Sequence, residues 1–147
     1  VPGLNGWWNK VALFSDDLGE VGERILFMDL DVVITGSLDP LLCYPSDFAI
    51  MENDYVTGFN TSVMLLRVGT RTNVWGNFTP QVAEKFGGDQ DWVAMNAPDA
   101  DLWPAGWCVP YRLRAAKAPP PDCRIVCLCG RPNPDEYPAP WIAELWR

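Results

Sequence analysis

The chain contains no histidine. That absence removes the Ser-His and Cys-His pairs on which most nucleophilic mechanisms rest, and leaves proton transfer to carboxylates, tyrosine, lysine or the substrate itself. Positive charge is scarce as well: 11 Lys and Arg stand against 19 Asp and Glu, a formal charge of −8. A phosphate backbone needs a basic surface, so nucleic acid is not an expected partner. A diphosphate stays within reach if a divalent cation supplies the positive charge. No apolar run approaches the ~20 residues of a membrane-spanning helix, and Val1 opens no signal peptide. The expectation is a soluble, cytoplasmic protein. Cysteine is present but odd in number, five in all, with Cys123, Cys127 and Cys129 crowded near the end. An odd count does not make a simple disulfide framework. Two readings remain for the thiols: a zinc site, though no Cys-x-x-Cys pair and no histidine is there to build it, or buried thiols along a strand.

What the chain does contain is a single stretch around which the rest can be organised, RILFMDLDVVITGSLD at residues 24–39. Residues 25–28 are wholly apolar and too short for a helix, which predicts a central strand buried on both faces. If the chain stayed extended, Asp29 and Asp31 would point the same way with Cα atoms about 6–7 Å apart, and Leu30 would return to the core. Strand ends of this kind are where open α/β sheets bind ligands. Two carboxylates there suit magnesium or manganese, although one can equally cap a turn while the other is solvated. A strand ending in Asp-x-Asp also opens phosphatases of the haloacid dehalogenase type, with Asp29 as nucleophile and Asp31 as acid.

The 147 residues are expected to form one domain, with a real core but little room for an enzyme of two substrates. Trp7, Val11 and Phe14, beside Trp8 and Ala12, recur at helical spacing after the Pro2-Gly3 opening. Lys10 sits among them. An acidic loop precedes the central strand, and Ser37 is placed to cap a turn running to Leu42. Strands are expected at residues 48–51 and 60–68, the second entered through Asn60, Thr61 and Ser62, whose polar groups need either a ligand or turn capping. Val74, Trp75, Phe78, Val82 and Phe86 form a helical stripe that Pro80 splits. Gly87-Gly88 then leads into Asp89-Gln90-Asp91, whose acids suit a helix N-terminus, and a short helix ends before Pro98. Residues 103–114 read as irregular edge strands, 124–128 as a last strand, 130–134 as a rigid loop, and Trp141, Ile142, Leu145 and Trp146 as a closing amphipathic helix. Eight tryptophans suit either a sugar-stacking surface or a crowded core. The sequon matches at Asn60 and Asn77 count for little without a secretion signal.

Four segments in order resemble the nucleotide-sugar glycosyltransferases of GT-A fold, most closely the retaining family-eight type and related bacterial and phage enzymes. FMDLDVV at residues 27–33 resembles the family's metal-binding Asp-x-Asp strand, and GFNTSVMLL at 58–66 its FN-[AST]-[GS]-V strand. GGDQDW at 87–92 resembles its DQD helix start, and VCLCGRPNPDEYPAPW at 126–141 its terminal H-x-x-G-x-x-K-P loop. The resemblance implies a compact, truncated GT-A-like α/β fold, a Rossmann-like mixed sheet flanked by helices. Asp29 and Asp31 would hold Mn2+ or Mg2+ on the donor diphosphate, and Asp29 would also reach the ribose. Asn60 would contact the sugar, and the Gln90 carbonyl oxygen would lie beside the anomeric carbon. Asp89 or Asp91 would orient hydroxyls, Lys10 would reach a phosphate, and Gly130 and Arg131 would border the diphosphate. An inverting reaction would make Asp91 the candidate general base. The pattern departs at Cys127, where the family has its third metal ligand, a histidine, and at Asn133, where it has a lysine. Relatives also carry further strands before the segment matching Val1. An exposed edge beside the central strand would then favour a homodimer.

The implied activity is metal-dependent transfer of a sugar from a nucleoside-diphosphate donor, UDP foremost, to an unspecified acceptor. Two alternatives stand beside it. One is a non-catalytic nucleotide-sugar or glycan-binding remnant of the fold. The other is the phosphatase, whose later metal motif needs an aspartate where Val93 stands.

Overall fold

The structure, a computed structural model, describes residues 4–131, 133–136 and 139–146. The Pro2-Gly3 opening and Pro132 of the terminal loop lie outside the described residues. The architecture is α/β, with mixed sheets flanked by helices, and the expected single sheet is divided in two. The first sheet contains β1 (Arg24–Met28), β3 (Phe48–Glu52), β4 (Phe59–Arg67) and β5 (Asp101–Leu102), in the order β1-β4-β3-β5. β4 runs antiparallel to both neighbours, and β3 and β5 are parallel. The second sheet is β2 (Val32–Ile34), β6 (Cys108–Pro110) and β7 (Ile125–Cys127), in the order β2-β7-β6, with β7 antiparallel to β2 and parallel to β6.

β4 holds the first sheet together because its side chains are apolar on both faces. Residues 60–66 are buried without a break. Met64 and Leu66 face a core with Val11, Phe14, Val74, Trp92 and Val93, whereas Val63 and Leu65 face another with Val32, Leu41, Met51, Trp103 and Cys127. The period of two along a strand thus deals one segment to two cores. The first core is roofed by the 3-10 helix Gly6–Phe14 and by α2 (Thr72–Gly76) and α4 (Asp89–Asn96). A third core lies on the other side of the second sheet and includes Val33, Val126, Leu128 and Ile142 of α5 (Pro140–Leu145).

Three expectations need correction. The strand at residues 25–28 is present as β1, but it is an edge, and all five of its residues are only half-buried. The longer, doubly apolar β4 takes the central place, and among the described residues no strand pairs with the other side of β1. Leu30 is 95% exposed instead of returning to the core. The chain stops being extended after Met28, and Asp29, Leu30 and Asp31 form the turn that carries it from the first sheet to the second. The closing helix buries Ile142 alone of its expected stripe, leaving Leu145 and Trp146 exposed and Trp141 half-buried beside Tyr111.

The acidic segment expected as a loop contains a 3-10 helix, Asp16–Glu20, and the end of the expected edge strands at 111–114 is helical, while two other local expectations hold. Ser37 accepts the Asp39 N–H at 3.1 Å ahead of α1 (Asp39–Leu42). Pro80 opens α3 (Pro80–Ala83), so the helical stripe is indeed split, and Thr79 caps it by accepting from Val82 N–H. Residues 101–114 form two short strands followed by a π-helical turn, Tyr111–Ala115.

Candidate functional site

The turn between the sheets, the entrance of β4 and the start of α4 converge on a cavity of about 500 Å3. Its walls include Lys10, Asp29, Asp31, Asn60, Asp89, Gln90 and Gly130. Seven of the residues singled out in the sequence therefore meet in one place, although they lie on five separate segments.

Lys10 sits at the centre of the polar network. The 3-10 helix buries Val11 and Phe14 and so aims Lys10 toward the strand ends. Its Nζ lies 2.7 Å from Asp29 Oδ2, 3.4 Å from Thr61 Oγ1 and 3.8 Å from Asp89 Oδ2. The Thr61 hydroxyl in turn donates to Asp89 Oδ2 at 2.6 Å. Asp89 is only 3% exposed, so a charged partner and a hydroxyl are what make a carboxylate tolerable there. Burial holds the Asp29 carboxyl above the usual range, against the pull of the Lys10 ammonium and a hydrogen bond with Ser62, and the nearby Asp31 charge pushes the same way as burial.

Asp31 is fixed from the opposite side. Its backbone carbonyl accepts from Leu128 N–H at 2.9 Å, and its Oδ2 accepts from Gly130 N–H at 3.0 Å. The second contact depends on a sharp bend after β7, where Cys129 and Gly130 have φ of 54° and 95°. Glycine takes the left-handed region without cost, which is why it follows the strand here. Asn60 is buried at the entrance of β4. Its Oδ1 accepts from Ser62 N–H at 2.8 Å, and its Nδ2 points to Cys129 Sγ at 3.7 Å.

The remaining sequence candidates fall elsewhere. Asp91 lines a neighbouring cavity instead of this one. Arg131 is exposed, and the contact it makes is through its backbone carbonyl, which accepts from the Arg112 guanidinium. Cys127 is fully buried, with its Sγ 3.3 Å from Met51 Sδ, and burial pushes its thiol well above the ordinary range. Cys127 is not among the residues that line the cavity, so the structure does not bring the expected third ligand to Asp29 and Asp31. The thiol that reaches the cavity is that of Cys129. Two further residues escaped the sequence reading. Trp7, 58% exposed, lines the cavity, and Asn53 donates through Nδ2 to Gln90 Oε1 at 3.2 Å. The Gln90 carbonyl is therefore directed at Asn53, and its amide nitrogen is the end left for the cavity.

No protein-family model and no curated protein matches the chain. Solved structures do. The galactosyltransferase LgtC, in complex with donor and acceptor sugar analogs, superposes with a TM-score of 0.63 at 15% identity, covering 92% of this chain and 63% of LgtC. The glycosyltransferase GlyE of Streptococcus pneumoniae TIGR4 does so with a TM-score of 0.63 at 17% identity, covering 95% of this chain and 41% of GlyE. An active-site mutant of LgtC matches with a TM-score of 0.59 at 14% identity. The fold is that of these glycosyltransferases. The chain spans less than two thirds of the length of either protein.

Within this glycosyltransferase fold, the donor set at the turn decides what cation the site could take. Among the described residues no group of three or more His, Cys, Asp or Glu side chains is arranged to hold a metal. Asp29 and Asp31 border the cavity from one turn, and Asp89 borders it from α4. A small, hard divalent ion needs only one or two carboxylates when phosphate oxygens and waters complete its shell. Asp29 and Asp31 are the side chains here that could hold such an ion.

Proposed function

We propose that the chain is a metal-dependent glycosyltransferase of GT-A type, nearest the retaining family-eight enzymes, moving a sugar from a nucleoside-diphosphate donor, UDP foremost, to an acceptor. The observation that carries this reading is the convergence of Asp29, Asp31, Lys10, Asn60, Asp89 and Gln90 on one cavity in a glycosyltransferase fold. Asp29 and Asp31 would hold Mn2+ or Mg2+, which neutralises the departing diphosphate when bound. Lys10 holds Asp29 and Asp89 in place and adds one positive charge beside the leaving group. Gly130 fixes the Asp31 carboxylate through its N–H. Asn60 and Asp89 would orient sugar hydroxyls, and Gln90, whose carbonyl oxygen accepts from Asn53, would lie beside the anomeric carbon. Asp91 stands one residue further on, where it would serve as general base if the reaction inverted.

A non-catalytic nucleotide-sugar-binding module on the same fold is the second reading, favoured by the want of a third metal-ligating side chain among the described residues. The phosphatase reading loses its support, since Val93, where its metal aspartate is needed, is 1% exposed in the first core. Five free thiols suit a reducing compartment, in keeping with a cytoplasmic location. Among the described residues no helix is long and apolar enough to cross a membrane. Among the described residues one side of β1 is unpaired, which suits a homodimer, and sedimentation velocity should show a dimer; a monomer at every concentration would contradict it.

Asp31→Asn tests the function directly. Release of UDP from UDP-hexoses in the presence of manganese should fall at least ~100-fold, with the thermal midpoint of unfolding almost unchanged because Asp31 lies on a turn. Full turnover in the variant would remove the metal site from the reaction. Manganese-dependent UDP binding by the unaltered protein without any turnover would select the binding module.

A further inference from the structure

The loop at residues 53–58 joins β3 to β4, and its first residue, Asn53, is held from three sides. The Asn53 N–H donates to Gly58 O at 3.0 Å and closes the loop. Its side-chain Oδ1 accepts from Tyr55 N–H at 3.0 Å and from Val56 N–H at 3.4 Å, the pattern of an Asx turn. Asp54, next along, is tied to Arg114 of the π-helical turn through Nε at 3.1 Å and Nη2 at 2.6 Å. Tyr55 and Val56 are exposed, so these bonds shape the loop more than burial does.

The same bonds fix which way the Asn53 amide faces. Two backbone N–H groups need an acceptor, and the side chain has only Oδ1 to offer. Nδ2 is therefore the end that reaches α4, where it donates to Gln90 Oε1 at 3.2 Å. The orientation is passed on: an amide nitrogen does not accept, so Gln90 must turn its carbonyl oxygen to Asn53. The N–H groups of Gln90 Nε2 are left for the cavity that Gln90 lines with Asp29, Asp31 and Asn60. Asn53 is not among the residues lining that cavity, and acts on it through Gln90.

Without this partner Gln90 would present oxygen or nitrogen to the cavity with little preference, since a terminal amide torsion is broad and two-fold. The two ends do different chemistry. A carbonyl oxygen brings a lone pair, which can approach an electron-poor carbon or accept from a hydroxyl. An amide N–H does neither, and donates instead to an oxygen such as the hydroxyl or ring oxygen of a sugar.

We propose that Asn53 is a positioning residue, which turns the Gln90 carbonyl away from the cavity and so makes Gln90 a hydrogen-bond donor to an oxygen of the transferred sugar. This rests on the glycosyltransferase reading above. Gln90 then forms no bond to the anomeric carbon, because its oxygen is engaged by Asn53. What it contributes is the placement of the sugar ring.

The test compares the unaltered protein with two variants. Asn53→Leu releases Gln90 without adding charge. Asn53→Asp keeps an acceptor for Tyr55 and Val56 but meets Gln90 with an oxygen, so that Gln90 must turn its own oxygen into the cavity. Each protein is measured for UDP affinity by calorimetry with magnesium, for kcat and KM of UDP release from UDP-glucose and UDP-galactose, and for the side-chain amide resonance of Gln90, assigned through its loss in Gln90→Glu. In the unaltered protein that resonance should shift when a UDP-sugar is added and stay in place with UDP alone. The kcat should fall about 10-fold in Asn53→Leu, the worth of one hydrogen bond, and about 100-fold in Asn53→Asp, the scale of a lost donor at a reacting centre, with UDP affinity unchanged in both. Full turnover in Asn53→Asp, a loss confined to Asn53→Asp, which charge alone would explain, or a Gln90 resonance that a UDP-sugar leaves in place would each overturn the assignment of Asn53 alone. A parallel loss of UDP affinity and turnover in both variants would also overturn it, by showing that Asn53 only supports the fold. Failure of the unaltered protein to bind UDP or to release it from either UDP-sugar would overturn the glycosyltransferase reading and this inference with it.

Discussion

Lys10 carries more of the site than any other single residue, because three polar groups depend on one ammonium. Its side chain is 17% exposed, and it faces Asp29 and the nearly inaccessible Asp89. Lys10→Ala would leave both carboxylates short of a counter-charge in a half-dry cavity. The expected cost is about 1–3 kcal/mol of stability, read as a lower urea midpoint at unchanged slope. A midpoint equal to that of the unaltered protein would mean that Thr61 and solvent alone satisfy Asp89. At this scale the sequence was informative wherever a residue type is rare in its setting. The Asp-x-Asp after an apolar run marked Asp29 and Asp31 from the residues themselves, whereas Lys10, Asp89 and Gln90 were singled out by the family resemblance, and all five line the cavity. It was uninformative where the deciding fact is direction. Cys127 and Cys129 are two residues apart, yet one thiol lies in the core and the other in the cavity, because the chain turns left-handed at Cys129. Nothing in the string of letters marks that bend before Gly130. Asn53 was equally hidden, since its partner Gln90 is 37 residues away and the link is a single side-chain hydrogen bond.

Among the elements, β4 is the one on which both the fold and the site depend. Its inner residues divide between two cores, while Asn60 and Ser62 near its start line the cavity. Leu65 is fully buried and faces the second core. Leu65→Ala is expected to cost about 2–5 kcal/mol, measured by denaturant unfolding, as a transfer loss together with a cavity. A loss below about 1 kcal/mol would show that the two sheets can close over the gap. Most elements were legible from periodicity: the β4 run, the stripe broken at Pro80 and the α4 start each appear within a residue or two of where pattern placed them. The rank of the strands was not. Apolar content alone made β1 look central, but β4 is longer and apolar on both faces, and the strand with most to bury takes the middle. The split into two sheets was also invisible, because the turn at Asp29, Leu30 and Asp31 carries no glycine or proline to announce it.

At the scale of the whole molecule, the two sheets meet at that turn, and this arrangement brings residues from the start, middle and end of the chain to one cavity. The first sheet supplies the floor, the second supplies Gly130 on its far side, and α4 closes the remaining face. The superposition on LgtC and GlyE bears out the fold that the four sequence segments implied. Net charge follows the same logic. On the proposed reading, a cavity bordered by Asp29, Asp31 and Asp89, with Lys10 engaged by Asp29, needs a cation to hold a diphosphate. The account therefore makes metal a condition of nucleotide binding and not an accessory to it. Calorimetric titration of UDP into the protein, with and without manganese, measures that condition directly. Binding at micromolar affinity with manganese, at least ~10-fold weaker without it, is the predicted result. Equal affinity in both titrations, or no binding in either, would contradict the claim that Asp29 and Asp31 form a metal-dependent diphosphate site.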